Sequence, residues 1–166
     1  MKDELTLIDI KKMQEEIEAR KADAPRLREA VKTARELGDL SENDEYRSAK
    51  RELNHNNSRI AYLEHMINTA VIISTDSKTD EVGLFDEVEI YYPKDDENRT
   101  IRLVTTLRND VTKNCISKES PLGMALLGKK VGDKVTVKVS DKIKYPVEVI
   151  SIKKGQDDDT LDISKY

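Results

Sequence analysis

Residues 34–46 read ARELGDLSENDEY, and this stretch separates two segments that share one helical periodicity. Before it, mostly apolar residues recur at alternating steps of three and four over 10–34, with Arg20 as the only polar member. After it, the same spacing runs over 46–70, with Asn56 as the strongly polar member. Such heptad spacing is typical of a two-helix seam, and the short connection predicts that the two helices lie antiparallel.

Pro25 lies inside the first of these helices. Proline lacks a backbone N–H and clashes with the preceding turn, so we expect a kink or a break near Asp23 and Ala24. The hairpin as a whole is still expected to form, because its seam pattern continues on both sides of the proline.

Beyond Ile73 the hydrophobic period changes to about two. Short β-rich runs and turn signals such as Tyr145-Pro146 predict a small, mostly antiparallel β domain. One short helix is expected at 122–127, opened by Ser120-Pro121 and closed by Gly128. The predicted strands are 86–92, 100–107, 133–139 and 147–152.

The two halves together predict an α+β fold class, with separate helical and β domains. The acidic end of the chain is expected to be a solvated, disordered tail. The expected division is an antiparallel coiled-coil hairpin at 1–75, a linker at 76–82, a β domain at 83–155 and an acidic tail at 156–166.

The chain has 166 residues, a formal net charge of −4 and one cysteine, Cys115. No direct, sequence-specific DNA binding is expected, because nucleic-acid binders usually carry a basic excess. A single cysteine excludes an intramolecular disulfide and indicates a reducing compartment. The chain shows neither a signal sequence nor an apolar run of membrane length, which predicts a cytoplasmic protein without a membrane partner.

The connection between the helices, 38–46, carries four carboxylates and no basic residue. Helix capping explains part of this acidity, since Ser41 with Asp44 and Asp39 with Glu42 each fit a capping box. Capping does not explain why Asp39 and Glu42, three residues apart, stand at the end of a long rod. Such a pair suits Mg²⁺, which takes one or two protein carboxylates together with waters and phosphate oxygens. The pair would bind weakly alone, and would become effective inside a site that already holds a metal and a phosphodiester.

The ARELGDLSENDEY stretch, with Pro25 thirteen residues before Gly38, resembles the hairpin signature of the Gre family of bacterial transcript cleavage factors. Residues 120–137, SPLGMALLGKKVGDKVTV, and 145–152, YPVEVISI, are similar to the C-terminal domain of that family. The resemblance covers nearly the whole chain. It implies an FK506-binding-protein-like (FKBP-like) antiparallel β domain after the hairpin.

The resemblance implies that the hairpin enters the secondary channel of RNA polymerase, which then cuts its own backtracked RNA. Asp39 and Glu42 would be catalytic residues that hold a Mg²⁺ shared with the polymerase active site, and no cofactor is expected in isolation. The protein would be an accessory factor rather than an enzyme. It would act as a monomer on RNA polymerase and, through that complex, on the 3′ end of nascent RNA. Partner contacts are implied at Leu40, Asn43, Glu45, Tyr46, Ser120, Pro121 and Leu122.

Several of these residues have structural alternatives. Ser41 fits a helix cap, Tyr46 fits the helix seam, and the Ser120-Pro121 pair fits a simple helix start. Basic side chains that flank the acidic connection fit either an RNA contact or ordinary solvated helix faces. These basic residues are Lys32, Arg35, Arg47, Lys50 and Arg51.

Three function classes stay open. The GDLSEN spacing favours stimulation of RNA cleavage, because a plug would not need two carboxylates at this separation. A Gre-like inhibitor that plugs the secondary channel is the alternative, kept open by Asp44, where the family commonly has a small residue. The third is a regulator that docks on another enzyme through its β domain. A stand-alone hydrolase is disfavoured, since the sequence lacks a Ser-His-Asp set, a His-rich metal site and a phosphate-binding loop.

Overall fold

The computed structural model describes residues 2–38, 43–158 and 160–164. The chain divides into two compact units, one formed by Ile10–Ala70 and the other by Met1–Asp9 with Val71–Tyr166. The predicted α+β class is confirmed, because the first unit is helical and the second is built on a β-sheet. None of the helices in the described part of the chain is long and apolar enough to cross a membrane.

The helical unit is a hairpin of two helices, α1 (Leu7–Arg35) and α2 (Asp44–Thr69). Helix α1 is continuous and contains Pro25, so the alternative of a break at this point is wrong. Buried seam residues lie on both sides of the proline, Ala24 before it and Leu27 after it. Their burial outweighs the single hydrogen bond that proline removes.

The predicted seam agrees with the burial of the side chains. Every described seam position is buried or half-buried, which is what an a/d pattern requires of two helices that pack along one stripe. The buried members are Met13, Ile17, Ala24, Leu27, Ala34, Asn56 and Leu63.

A polar cluster of four side chains crosses this seam. Asn56 donates from Nδ2 to the backbone oxygen of Arg20, and accepts from Arg20 Nη1, both at 3.2 Å. Arg59 donates from Nε and Nη2 to the two carboxylate oxygens of Glu16, at 3.0 and 3.2 Å. The side chain of Arg59 is 2% exposed. Because a buried charge is costly without its partner, this cluster selects one register of the two helices.

The second unit contains a five-stranded sheet in the order β5-β4-β3-β7-β6. Neighbouring strands are antiparallel except β4 and β5, which are parallel, so the predicted antiparallel sheet is mixed at one edge. Two shorter strands, β1 and β2, also pair in parallel. The elements are β1 (Glu4–Leu5), β2 (Val71–Ile72), β3 (Glu87–Tyr92), β4 (Glu97–Val104), β5 (Cys115–Ser117), α3 (Pro121–Leu126), β6 (Lys134–Lys138) and β7 (Lys144–Lys153).

The main core of this unit lies on one face of the sheet, where strand residues at alternate positions are buried. Leu126 of α3 is fully buried in the same cluster, so the short helix covers part of this face. The predicted end residues of α3 are confirmed, with Ser120 as its N-cap and Gly128 at a φ of 78° just beyond it. The helix itself spans Pro121–Leu126, one residue earlier at each end than predicted.

Pro146 lies inside β7, although the Tyr145-Pro146 pair predicted a turn. Strand β3 pairs with β7 only from Glu148 onward, so Pro146 has one neighbouring strand, β6, where it lies opposite Thr136. Proline is tolerated at strand edges because the side without a neighbouring strand needs no backbone N–H donor. The Tyr145-Pro146 pair therefore marks a local strand edge rather than the predicted turn.

The predicted linker, 76–82, is fastened to the sheet unit. Lys154 donates from Nζ to the side chain of Ser77 at 2.7 Å and to the backbone oxygens of Lys78 and Glu81 at 3.0 and 2.9 Å. Val82 is 1% exposed and belongs to the main core. The segment is thus a part of the second unit rather than a free connection.

The predicted solvated tail is partly buried, which corrects that expectation. Asp157 accepts hydrogen bonds from the fully buried Arg108 and, at 2.5 Å, from Thr6 Oγ1. Arg108 also donates from Nε to Asp9 Oδ1 at 2.8 Å, so residues 1–9 group with the β unit rather than with the predicted hairpin domain. A buried guanidinium needs such carboxylate partners, and the tail supplies one of them. Asp159 lies outside the described residues.

We predict that Asp157→Ala lowers the free energy of unfolding by about 3 kcal/mol, because it removes one partner of a buried ion pair. Urea denaturation followed by circular dichroism would measure the change. Asp141→Ala is the matched control, since that carboxylate is 95% exposed in the same unit and pairs only at the surface. Equal stability of the two variants would show that the tail does not hold Arg108.

We predict that the Glu16 pair makes the hairpin sensitive to acid. Burial acts to raise the pKa of Glu16, but hydrogen bonds from Arg59 and Arg20 outweigh it and hold the pKa below its ordinary value. A lowered pKa stabilises the fold above the unfolded-state value, and this stabilisation is lost as pH falls through the folded-state value. Glu16→Gln should therefore lower the melting temperature at pH 7 and lose less further stability than wild type under acid.

Thermal melts from about pH 7 to about pH 3 would test this expectation. Glu18→Gln is the control, because Glu18 is exposed on the same helix. Parallel pH profiles of wild type and Glu16→Gln would contradict the assignment.

Candidate functional site at the hairpin end

The candidate site is the connection between α1 and α2. Its predicted catalytic pair, Asp39 and Glu42, and its predicted contact residue Leu40 lie outside the described residues. The two ends of the connection are described. Gly38 has a φ of 129°, a backbone conformation that side chains disfavour, so glycine is required where the chain leaves α1.

Asn43 joins the two helix ends through its side chain. Its Oδ1 accepts from the backbone N–H of Tyr46 at 3.0 Å, which caps the start of α2. Its Nδ2 donates to the backbone oxygen of Ala34 in the last turn of α1 at 2.6 Å. The N-cap of α2 is therefore Asn43, and not Ser41 as the capping-box interpretation predicted. Asparagine serves better here because it carries a donor as well as an acceptor.

Tyr46 forms a second link between the helix ends. The guanidinium of Arg35, at the end of α1, lies 5.6 Å from the centre of the Tyr46 ring, and Lys50 Nζ lies 5.8 Å from it. The hydrogen bond from Arg35, aided by the charge of Lys50 and opposed by burial, lowers the pKa of Tyr46. Tyr46 is half-buried, which fits its place at the start of the α2 seam.

The first turn of α2 is acidic and exposed. The side chain of Asp44 is 95% exposed and lies 3.9 Å from Arg47, while Glu45 is also exposed. Carboxylates at a helix N-terminus interact favourably with the helix dipole, so this part of the acidity has a structural explanation. No such explanation covers Asp39 and Glu42, which precede the cap.

Basic side chains flank the acidic connection in sequence, on both helices. All five of the predicted set are exposed: Lys32, Arg35, Arg47, Lys50 and Arg51. Three of them line a shallow groove on α2 together with Tyr46 and His55. An exposed, positively lined groove can accept an acidic group, and the RNA-contact interpretation stays a prediction.

The second predicted contact region, at Ser120, Pro121 and Leu122, is a helix start. Ser120 Oγ accepts from the backbone N–H of Gly123 at 3.0 Å and donates to the backbone oxygen of Ser117 at 2.7 Å. Leu122 packs against the main core. These contacts explain Ser120 and Leu122 structurally, and Pro121 occupies the first helical position, which suits proline. The predicted partner contact of the three residues stays untested.

Sequence reasoning missed one exposed residue of α3. Met124 is 63% exposed and lies one turn from the helix start, while Leu127 just beyond the helix is 42% exposed. Methionine is common at binding surfaces because its side chain is flexible. The signal that could have found it is the helical spacing, which places Met124 and Leu127 away from the buried Gly123 and Leu126.

Comparison with known proteins gives two family matches that together cover most of the chain. Residues 4–72 match the family described as transcription elongation factor, N-terminal. Residues 76–154 match the family described as transcription elongation factor, GreA/GreB, C-term. The acidic connection lies inside the first match, and the final segment of the tail lies beyond the second.

Individual relatives agree with these matches. The transcription elongation factor GreA of Thermoanaerobacter pseudethanolicus is 41% identical over 152 residues, which cover 90% of this chain and 96% of that protein. GreA of Clostridium acetobutylicum is 38% identical, over 88% of this chain and 94% of that protein. A crystal structure of GreA factor homolog 1 (Gfh1) of Thermus thermophilus is 27% identical and covers 93% of this chain and all (100%) of that one, at a TM-score of 0.42. From the sequence matches, the chain belongs to the GreA/GreB family of transcription elongation factors.

Proposed function

We propose that this elongation factor binds RNA polymerase and inserts the end of its hairpin into the secondary channel. There it stimulates Mg²⁺-dependent endonucleolytic cleavage of backtracked nascent RNA and so rescues arrested complexes. The observation that carries the proposal is the hairpin end itself. Two helices of 29 and 26 residues are joined by residues 36–43, which include the acidic segment 39–42 with Asp39 and Glu42. The side chain of Asn43 bonds to both helix ends.

The length of the hairpin fits this task. Helix α2, with 26 residues, spans about 39 Å, so its start at Asp44 lies far from its other end at Thr69. The polar cluster in the seam stiffens the pair by fixing its register. A rod of this kind can carry a small charged end into a narrow channel without unfolding.

Asp39 and Glu42 would hold the metal ion. Two carboxylates are the hard oxygen donors that Mg²⁺ takes from proteins, and the segment that contains them has no basic residue to neutralise them. When bound, Mg²⁺ lowers the pKa of a coordinated water and so supplies a nucleophile for attack on a phosphodiester. The chain itself contributes the carboxylates and their placement, and the polymerase contributes the remaining ligands and the RNA.

The chain acts as an accessory factor rather than as an enzyme in this proposal, and it acts as a monomer. The nascent RNA 3′ end would meet basic side chains on the hairpin, among which Lys50 and Arg51 are exposed and line a groove with Tyr46. Lysine and arginine attract phosphate oxygens without reading sequence. They would guide the RNA end toward the acidic segment.

We predict that Asp39→Ala and Glu42→Ala each lower the rate of RNA cleavage by about 100-fold or more, since several kcal/mol of metal stabilisation is lost. The measurement uses purified RNA polymerase halted on a backtracked template in Mg²⁺, with the RNA followed on a gel. Wild type should release a 3′ fragment. Both variants should still compete with wild type for polymerase.

The control for this prediction is Glu36→Gln, which removes a carboxylate just outside the acidic segment at an exposed position. It should cleave like wild type. If wild type slows elongation without releasing fragments, the protein is instead a channel-plugging inhibitor. If wild type does not bind polymerase, both proposals fail.

We predict that the exposed apolar end of α3 contacts the polymerase. Met124→Asp should weaken polymerase binding by about tenfold, the usual effect of losing a well-packed apolar contact. Val111→Asp is the matched control, because Val111 is 70% exposed in the same unit and belongs to a different element, the short 3-10 turn Val111–Lys113. Fluorescence anisotropy with labelled protein would give both affinities, and equal affinities would exclude this surface.

A further inference from the structure

We propose that Asn43 is a positioning residue for the acidic segment, and that it acts by tying the two helix ends together rather than by contacting a partner. The inference rests on the proposed function, because the segment it positions is the one that carries Asp39 and Glu42. It differs from the interpretation of Asn43 as a partner contact. The evidence is the pair of hydrogen bonds that its side chain makes within the hairpin.

The two hydrogen bonds have different partners and different chemistry. Oδ1 accepts from the N–H of Tyr46, one of the unpaired donors in the first turn of any helix. Nδ2 donates to the oxygen of Ala34 near the end of α1, which also accepts from the backbone N–H of Leu37 at 3.2 Å. One side chain therefore bonds to a backbone group of each helix. It also holds Ala34 and Tyr46 at a fixed separation.

Only asparagine among the usual N-cap residues can make both bonds in this way. Aspartate would cap Tyr46 equally well, but it has no donor and would turn a second oxygen toward the Ala34 oxygen. Serine would also cap α2. Its single hydroxyl is too short to reach the Ala34 oxygen while it accepts from Tyr46. Substitutions at residue 43 can therefore keep the helix cap, which all three residue types provide, and remove only the cross-helix hydrogen bond.

The cross-helix bond matters because the acidic segment is short. Four residues separate Gly38 from Asn43, so the positions of the two ends limit where the carboxylates can stand. The contact of Arg35 with the Tyr46 ring also links the end of α1 to the start of α2. A displacement of about 1 Å in a catalytic group can cost about 100-fold in rate.

The first test replaces Asn43 with Asp. This variant keeps the cap, so α2 and the melting temperature should change little, while cleavage of backtracked RNA falls by about tenfold or more. Asn57→Asp is the matched control, since it makes the same charge change at an exposed position on the same helix. The control should cleave like wild type, and all three proteins should compete equally for polymerase.

The second test asks whether Asn43 acts through the acidic pair. In the Asp39→Ala background, Asn43→Asp should reduce the residual cleavage by less than twofold, because the positioned group is already absent. A separate readout uses the free protein. Hydrogen exchange of backbone amides in 36–46 should be faster in Asn43→Asp than in wild type or in Asn57→Asp, because the two helix ends are no longer joined by the Asn43 side chain.

The outcomes separate this inference from the proposed function. If wild type releases RNA fragments and Asn43→Asp does so at the same rate, the inference fails and the proposed function stands. The inference also fails if Asn43→Asp loses polymerase binding with unchanged hydrogen exchange, since Asn43 would then be a contact residue. If wild type releases no fragments, the proposed function fails, whereas the exchange result still reports on the closure.

Discussion

The register of the two hairpin helices depends on the ion pair between Glu16 and Arg59 and on the paired hydrogen bonds of Asn56. A slip of one heptad would leave Arg59 buried without its carboxylate and would move the helix ends by about 10 Å. Asn43 could then no longer reach the oxygen of Ala34. A polar cluster in the middle of the rod thus determines the geometry at its end, where the apolar seam alone would tolerate several registers.

The hairpin could be predicted from sequence because its information is local. The alternation of three and four is visible over 10–34 and 46–70, and Gly38 marks where α1 must end. The burial of Arg59 could not be predicted in this way. Arg59 is not itself a seam position but precedes the seam residue Ile60, and arginine is usually exposed. Its partner Glu16 lies 43 residues away, and neither residue alone signals the pairing.

The ends of the chain were misread because their contacts are distant in sequence. Arg108 pairs with Asp9, 99 residues before it, and with Asp157, 49 residues after it. A run of aspartates is typical of a solvated tail, and nothing local distinguishes one that meets a buried guanidinium. The same pairing explains why the first nine residues belong to the β unit. Composition predicts exposure for such groups, whereas three-dimensional pairing decides it.

The acidic segment was predicted from its spacing, and the chemistry of its surroundings explains why such a site would need a partner. Carboxylates that lie close together repel one another, and in water a pair of them binds Mg²⁺ weakly. One described neighbour, Asp44, adds a further negative charge, because it is exposed and only loosely paired with Arg47. The free energy for metal capture must therefore come from outside the chain. A polymerase site that already holds cations and phosphate would supply it. For this reason the tie that Asn43 makes between the two helix ends would serve the protein better than a complete ligand set of its own.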